Sequence, residues 1–253
     1  MNCPDTMLFY KQRKHSYREL PLRVAERQTL HRNELSGALS GLTRVRQFTQ
    51  DDAHIFARMD QIESEIRRLI ELISRFYALF DLQYRFYLST RPKDFMGEVS
   101  LWDKAEASLE AALKSTGLNY KVNEGDGAFY GPKIDILIQD SLGRQFQCAT
   151  IQLDFQLPER FELEYVTADN STARPVVIHR AIFGSYERFI GILIEHLAGA
   201  FPTWLAPVQA IFLPINDSFI PYCEAIAKQW ESSGVRCHVD DRSEKIGYKI
   251  RSA

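Results

Sequence analysis

An α+β fold on a mainly antiparallel sheet is predicted by three features of this 253-residue chain. Its strand-like runs do not alternate regularly with helices, as a parallel sheet would require. Its helical stripes lie around those runs. A change of character near residue 206 opens a separate strand–helix–strand unit. The expected boundaries are 1–205 for the large domain and 206–253 for the second.

Composition narrows the function classes. Hydrophobic residues make up 45% and charged residues 25%, an ordinary globular balance that excludes wholesale disorder. Lys+Arg 31 against Asp+Glu 33 leaves a net charge of -2, so coating nucleic acid by bulk charge is excluded and only a local basic groove remains. No apolar run reaches the ~20 residues of a membrane span, and no secretory signal is recognisable. Cys3, Cys148, Cys223 and Cys237 form no C-x-x-C pair. A reducing, cytoplasmic location fits them.

The first element, Met1-Asn2-Cys3-Pro4, runs straight into apolar Met7-Leu8-Phe9-Tyr10, which reads as a start inside a domain. Residues 60–80 carry Ile62, Ile66, Leu69, Ile70, Ile73, Tyr77 and Phe80 on one helical stripe, with Asp60 and Glu63 spaced as a capping box. A second helix is expected over 102–115, entered by Asp103 and Glu106 and closed by Gly117, and a third over 186–201, stopped by Pro202. Strands are expected at 84–88, 133–139 and 145–155. In the second domain, 208–215 and 235–239 read as strands around a helix at 218–232 ended by Gly234. A further helix begins near Ser243, and the unit reads as cut short at Ala253.

The densest chemistry spans His31 to Phe56. With Leu30–Glu34 as one strand and Arg44–Phe56 as its antiparallel partner, even positions share a face. Arg32 and Glu34 then stand beside Arg44, Arg46, Phe48, Gln50, Asp52 and His54. Such a face is either solvated with cross-strand ion pairs, or a site for a polyanion bearing a stackable ring. Cys148, Thr150, Gln152 and Asp154 share a polar face on a later strand. Gly184-Ser185-Tyr186-Glu187-Arg188 leads into a helix, whose start attracts anions or is simply capped. Cys3, His54 and His179 are metal candidates whose long spacings carry no evidence of their own.

Together these pieces resemble a known family. His31-Arg32-Asn33-Glu34, the glycine loop and Arg44 are similar to motif 2 of class II aminoacyl-tRNA synthetases, and Gly184 to Arg188 to motif 3. Met1-Asn2-Cys3-Pro4, the runs 49–56, 127–133 and 147–155, and His179-Arg180-Ala181-Ile182 resemble the threonyl-tRNA synthetase family in particular, in order along essentially the whole chain. The resemblance implies an antiparallel sheet flanked by helices, followed by part of an α/β anticodon-binding domain. It implies joining of threonine to ATP, then transfer of threonine to the 3′ end of tRNA(Thr). Arg32 would hold the α-phosphate, Arg188 and Phe48 would sandwich the adenine, Glu34 would meet its amino group, and Arg44 the outer phosphates. Magnesium would bridge the phosphates.

By the same resemblance, Cys3, His54 and His179 would bind zinc, whose open position takes the threonine amino group and hydroxyl. Gln50, Asp52, Tyr130, Thr150, Gln152 and Ser185 would complete the pocket, with Lys133 nearby as a third catalytic candidate beside Arg32 and Arg188. Gln147 has the opposite parity from Thr150, so a bulge is needed to bring it to the nucleotide. Asp5-Thr6 stand where the family usually continues with Gly-His, so the loop holding Cys3 is expected to differ. The dimer-forming motif 1, which makes full-length relatives homodimers, is not recognisable, and no space remains for an editing domain. A second reading is a non-catalytic synthetase-like module binding nucleotide, tRNA or a partner protein. A third, a proline or serine synthetase without this zinc, is disfavoured by the Cys3/His54/His179 set.

Overall fold

Period-two alternation over the strand runs builds a seven-stranded sheet in the computed structural model, which describes residues 2–253. Met1, the first residue of the Met-Asn-Cys-Pro run, lies outside them. Two units separate, one ending at His196 and the other comprising Leu197–Ala253.

The first unit holds α1 (Cys3–Lys11), β1 (His15–Ser16), β2 (Leu22–His31), β3 (Gln47–Ala57), α2 (Ile62–Ala78), β4 (Gln83–Ser89), α3 (Val99–Ser115), β5 (Tyr120–Asn123), β6 (Lys133–Gln139), β7 (Gln145–Asp154), α4 (Gln156–Arg160), β8 (Tyr165–Val166), β9 (Thr172–Ala173), β10 (Val176–Ala181) and α5 (Tyr186–His196). The large sheet runs β2-β3-β10-β7-β6-β4-β5. Every pairing in it is antiparallel except β4 with β5. The α+β expectation is therefore met. A small sheet, β1-β8-β9, lies apart from it.

One face of the large sheet is apolar. Register sets Ile55 beside Ile178, Ile178 beside Leu153, and Ile151 beside Ile134, all of them buried. Helix α2 reaches β7 and packs against α3. Its predicted stripe, Ile62 to Phe80, is buried throughout. Each such side chain contributes roughly 1.5–3 kcal/mol by leaving water.

Several boundaries differ from expectation. Strand β2 begins at Leu22, upstream of the predicted start, and only the Arg32 N–H to Arg46 carbonyl bond, 2.8 Å, extends its pairing. The Asp60/Glu63 capping box does not form. Asp60 pairs with Arg58 at 2.8 Å instead, and Gln61 precedes α2 without a side-chain cap. Asp103 and Glu106 are likewise inside α3, which starts at Val99; Asp103 meets the Arg91 guanidinium, and Glu106 accepts from the Arg91 backbone N–H. Helix α5 ends at His196, because Ala198 and Gly199 turn to positive φ.

Residues 3–11 form a helix rather than a loop. Pro4 suits its first turn. Met7 and Tyr10, three apart, enter a cluster with Phe56, Leu163 and Val177, while Leu8 and Phe9 face out.

The second unit contains β11 (Ala210–Phe212), α6 (Ile220–Ser232), β12 (Cys237–Val239) and α7 (Ile246–Ser252). β11 and β12 pair in parallel, as expected of a βαβ unit, but both strands are shorter than predicted. Among the described residues, no helix is long and apolar enough to cross a membrane.

Candidate active site

The polar face of the sheet carries two transverse rows. In one, register sets His54 beside His179, His179 beside Gln152, and Gln152 beside Lys133. In the other, two residues along each strand, Ala181 pairs with Thr150 and Thr150 with Asp135, with Asp52 two positions before His54 on β3. Side chains two apart point the same way, so strands distant in sequence present one polar surface. The predicted bulge exists: Ile136 pairs with Ala149 but Leu137 with Gln147, leaving Cys148 as the extra residue. Gln147 thereby reaches Thr150 Oγ1 at 3.0 Å.

A cavity of about 270 Å³ lies above these rows. Every site residue expected from the sequence lines it except Lys133 and His54. At one end stand Cys3, His54 and His179, all buried, with their ligand atoms within 4.8 Å of one another. The two imidazoles meet edge to face, 4.7 Å between centroids. His54 is fully enclosed, and neither ring nitrogen has a hydrogen-bond partner. Burial, then the neighbouring His179, push its pKa down to about 3, so the ring is neutral. An unpartnered neutral imidazole beside a thiol and a second imidazole is a donor set that fits zinc.

His179 is differently placed. Burial disfavours its charged form, but hydrogen bonds to Asp154 and Cys3 outweigh that and raise its pKa to about 9. Its Nε2 lies 2.9 Å from Asp154 Oδ2, which leaves Nδ1 for an ion. Asp154 is itself fixed, since its other oxygen accepts the N–H groups of Gln156 and Leu157 at 2.7 and 3.0 Å.

Asp135, 2% exposed, organises the middle of the site. It accepts from Ser89 Oγ at 2.8 Å, Gln147 Nε2 at 2.5 Å and Thr150 Oγ1 at 3.2 Å, and it also binds the Lys133 ammonium. Lys133 is thus held beneath the cavity rather than on its wall. Tyr130 donates its hydroxyl to Gln152 Oε1 at 2.7 Å. Burial raises the pKa of Asp52 against the opposing pull of His179.

At the other end, the Arg32 guanidinium sits 5.0 Å from the Phe48 ring centroid. Arg44 Nη2 pairs with Glu34 at 2.9 Å, where continued antiparallel register would set them opposite. Arg188 donates from Nε to the Thr43 carbonyl at 2.9 Å and from Nη1 to the Gln147 carbonyl at 2.7 Å. The expected sandwich of Phe48 and Arg188 around a ring therefore faces a Phe48 already covered by Arg32. Ser185 caps α5 by accepting the Arg188 N–H at 3.1 Å, and Gln50 donates its amide to the Gly184 carbonyl at 2.6 Å.

Sequence reasoning missed Asp135, and it missed Asp51, which accepts the backbone N–H groups of Ile182 and Phe183 and so secures the turn before α5. A Lys-x-Asp pair on one strand face was the available signal for Asp135. Asp51 gave none, because its parity puts it on the other face.

Gly131 and Gly184 are among the glycines that allow close approach. A Cβ on Gly131 would lie 1.9 Å from the Leu153 carbonyl oxygen, and one on Gly184 3.0 Å from that of Cys148. Gly131→Ala is expected to cost about 1–3 kcal/mol by overpacking and to displace Tyr130. A lowered urea midpoint at unchanged slope would register it, and an unchanged midpoint would contradict it.

Comparison with known proteins places these features in context. The tRNA synthetase class II core domain (G, H, P, S and T) matches residues 1–197, and an anticodon binding domain matches residues 209–253. A threonine–tRNA ligase of Clostridium novyi is 59% identical over 253 residues, covering 100% of this chain and 40% of that protein. One of Desulfosudis oleivorans is 57% identical with the same coverage. The chain thus spans 40% of the length of these curated relatives. A crystal structure described as the RNA binding domain of threonyl-tRNA synthetase from Cryptosporidium parvum Iowa II superposes with a TM-score of 0.96 at 46% identity, covering 100% of this chain and 64% of that one.

Proposed function

The chain belongs to the class II tRNA synthetase core family (G, H, P, S and T), and from that premise we propose that it carries the threonine-activating centre of a threonine–tRNA ligase. The reaction joins threonine to ATP, releases pyrophosphate and passes threonine to the 3′ end of tRNA(Thr). One observation carries the choice of threonine: Cys3, His54 and His179 bring their ligand atoms within 4.8 Å of one another, the His54 ring nitrogens being unpartnered, and Cys3 and His179 line the cavity that Arg32 and Arg188 also line. The match over 209–253 supports an anticodon-binding role for the second unit. Four free cysteines support a cytoplasmic location.

Cys3, His54 and His179 would hold zinc, which when bound supplies a Lewis acid for the amino group and hydroxyl of threonine. Asp52, on the same face as His54, accepts from those groups. Tyr130 and Gln152, joined by their hydrogen bond, close the pocket around the methyl group. Thr150 and Gln147, fixed by Asp135, form its wall toward the nucleotide. Little proton chemistry is required, because the threonine carboxylate itself attacks the α-phosphorus. Positioning and charge neutralisation by Arg32 and Arg188 then dominate. ATP enters as its magnesium salt, Glu34 meets the adenine amino group, and Arg44 exchanges Glu34 for the outer phosphates.

The test is amino-acid-dependent ATP–pyrophosphate exchange with a panel of amino acids, alongside zinc analysis. Threonine supports the strongest exchange. Serine keeps the hydroxyl and lacks one methyl, a difference worth only about 1–3 kcal/mol, so it is activated measurably. Valine, which lacks the hydroxyl, is rejected more strongly. Exchange that is strong with threonine and blank with serine would contradict this pocket. No exchange with any amino acid would favour the non-catalytic nucleotide- or RNA-binding module.

A further inference from the structure

We propose that Glu26 and Thr6 are positioning residues for the metal-binding trio: Glu26 receives the Nδ1–H of His54, and Thr6 ties Glu26 to the helix that carries Cys3. The inference rests on reading Cys3, His54 and His179 as zinc ligands.

A ligating imidazole must present a bare lone pair from one nitrogen, and a hydrogen-bond acceptor on the other nitrogen selects that tautomer. His179 has its acceptor in Asp154. His54 is fully buried, and its nearby counterpart is Glu26, whose Oε1 lies 3.6 Å from His54 Nδ1. Closing that gap to a hydrogen bond takes a shift of roughly 0.6 Å. With Nδ1–H directed at Glu26, Nε2 is left for the ion. The placement follows from register, because Glu26 on β2 pairs with Asp52 on β3, one side-chain repeat from His54.

Glu26 is in turn restrained. Thr6, 4% exposed, donates its hydroxyl toward Glu26 Oε1 at 3.2 Å, with the Asn2 carbonyl at 3.4 Å. Thr6 lies about one helical turn beyond Cys3 in α1. One hydroxyl and one carboxylate therefore couple the element bearing the sulfur ligand to the strands bearing an imidazole ligand. Glu26, Asp52 and His54 also bring ligand atoms within 4.8 Å of one another. That second grouping shares His54 with the first, and one ring serving both is accounted for by an outer carboxylate behind a single ion.

The test uses the whole chain, unaltered and as Glu26→Ala, Glu26→Gln and Thr6→Val. Zinc stoichiometry and affinity are measured by competition with a chromophoric chelator, and the His54 ring tautomer by ¹⁵N NMR of the zinc-loaded protein. The unaltered chain should bind one zinc with His54 protonated at Nδ1. Glu26→Ala should weaken zinc binding by about 10–100-fold and lose the Nδ1–H preference. Glu26→Gln, which keeps an acceptor oxygen, should recover part of the affinity. Thr6→Val should weaken binding several-fold, and it carries the test should Glu26→Ala fail to fold. Wild-type affinity in both Glu26→Ala and Thr6→Val, a second zinc per chain, or an Nε2–H tautomer overturns the proposal while the ligand set stands. Absence of zinc from the unaltered chain overturns the ligand set and the proposal with it.

Discussion

Arg32→Ala is expected to lower threonine-dependent pyrophosphate exchange by roughly 10³-fold or more while leaving zinc content unchanged. The guanidinium lines the cavity and lies over Phe48, so truncation removes both the planar cation proposed to meet the α-phosphate and the cover on the ring. Arg32 is not one of the three residues whose ligand atoms converge, which is why metal content is the matched control. Arg46 provides a second one. It is exposed, spends its Nε on the Glu34 carbonyl at 3.0 Å and does not line the cavity, so Arg46→Ala should change exchange little. Exchange surviving in Arg32→Ala, or falling equally in Arg46→Ala, would break the assignment.

His54→Ala is expected to abolish both zinc retention and threonine activation, with ATP binding preserved. Losing a residue proposed as a direct ligand should exceed the 10–100-fold loss typical of an outer partner. The structure makes His54 the cleaner target of the two histidines. Its ring nitrogens lie outside hydrogen-bond distance of a partner, and Glu26, 3.6 Å away, keeps the Thr6 hydroxyl, so truncation strands no fully buried carboxylate. His179→Ala instead strands the buried Asp154 carboxylate, and a buried charge deprived of its partner costs about 3–5 kcal/mol. Zinc analysis, nucleotide binding and thermal unfolding separate these effects: His54→Ala should lose metal at modest cost in stability, His179→Ala both. Threonine activation persisting in metal-free His54→Ala would remove the basis for the threonine assignment.

Much of the fold was legible because its signals are local. The α2 stripe from Ile62 to Phe80 repeats at the helical period, and each member proved buried. Strand parity grouped Arg32, Glu34, Arg44, Arg46, Phe48, Gln50, Asp52 and His54 before any neighbour was known, and all but Arg46 and His54 line one cavity. The bulge could be anticipated because the resemblance puts Gln147 in one site with Thr150, a residue of opposite parity. The Asp60 capping box failed because Arg58 competes for the same carboxylate, and the end of α5 was misplaced because no proline marks Ala198.

What the sequence determined by itself is periodicity and chemistry: which residues share a strand face, which helix has a buried side, and which residue types are available for phosphate or metal. What only the tertiary structure decided is which faces meet. His54 touches His179 because β3 and β10 pair at that register, and Asp135 becomes a hub because β6 lies against β7. Both depend on hydrogen bonding between segments far apart in the chain, set by how the whole sheet buries its apolar face, and no local pattern encodes that choice.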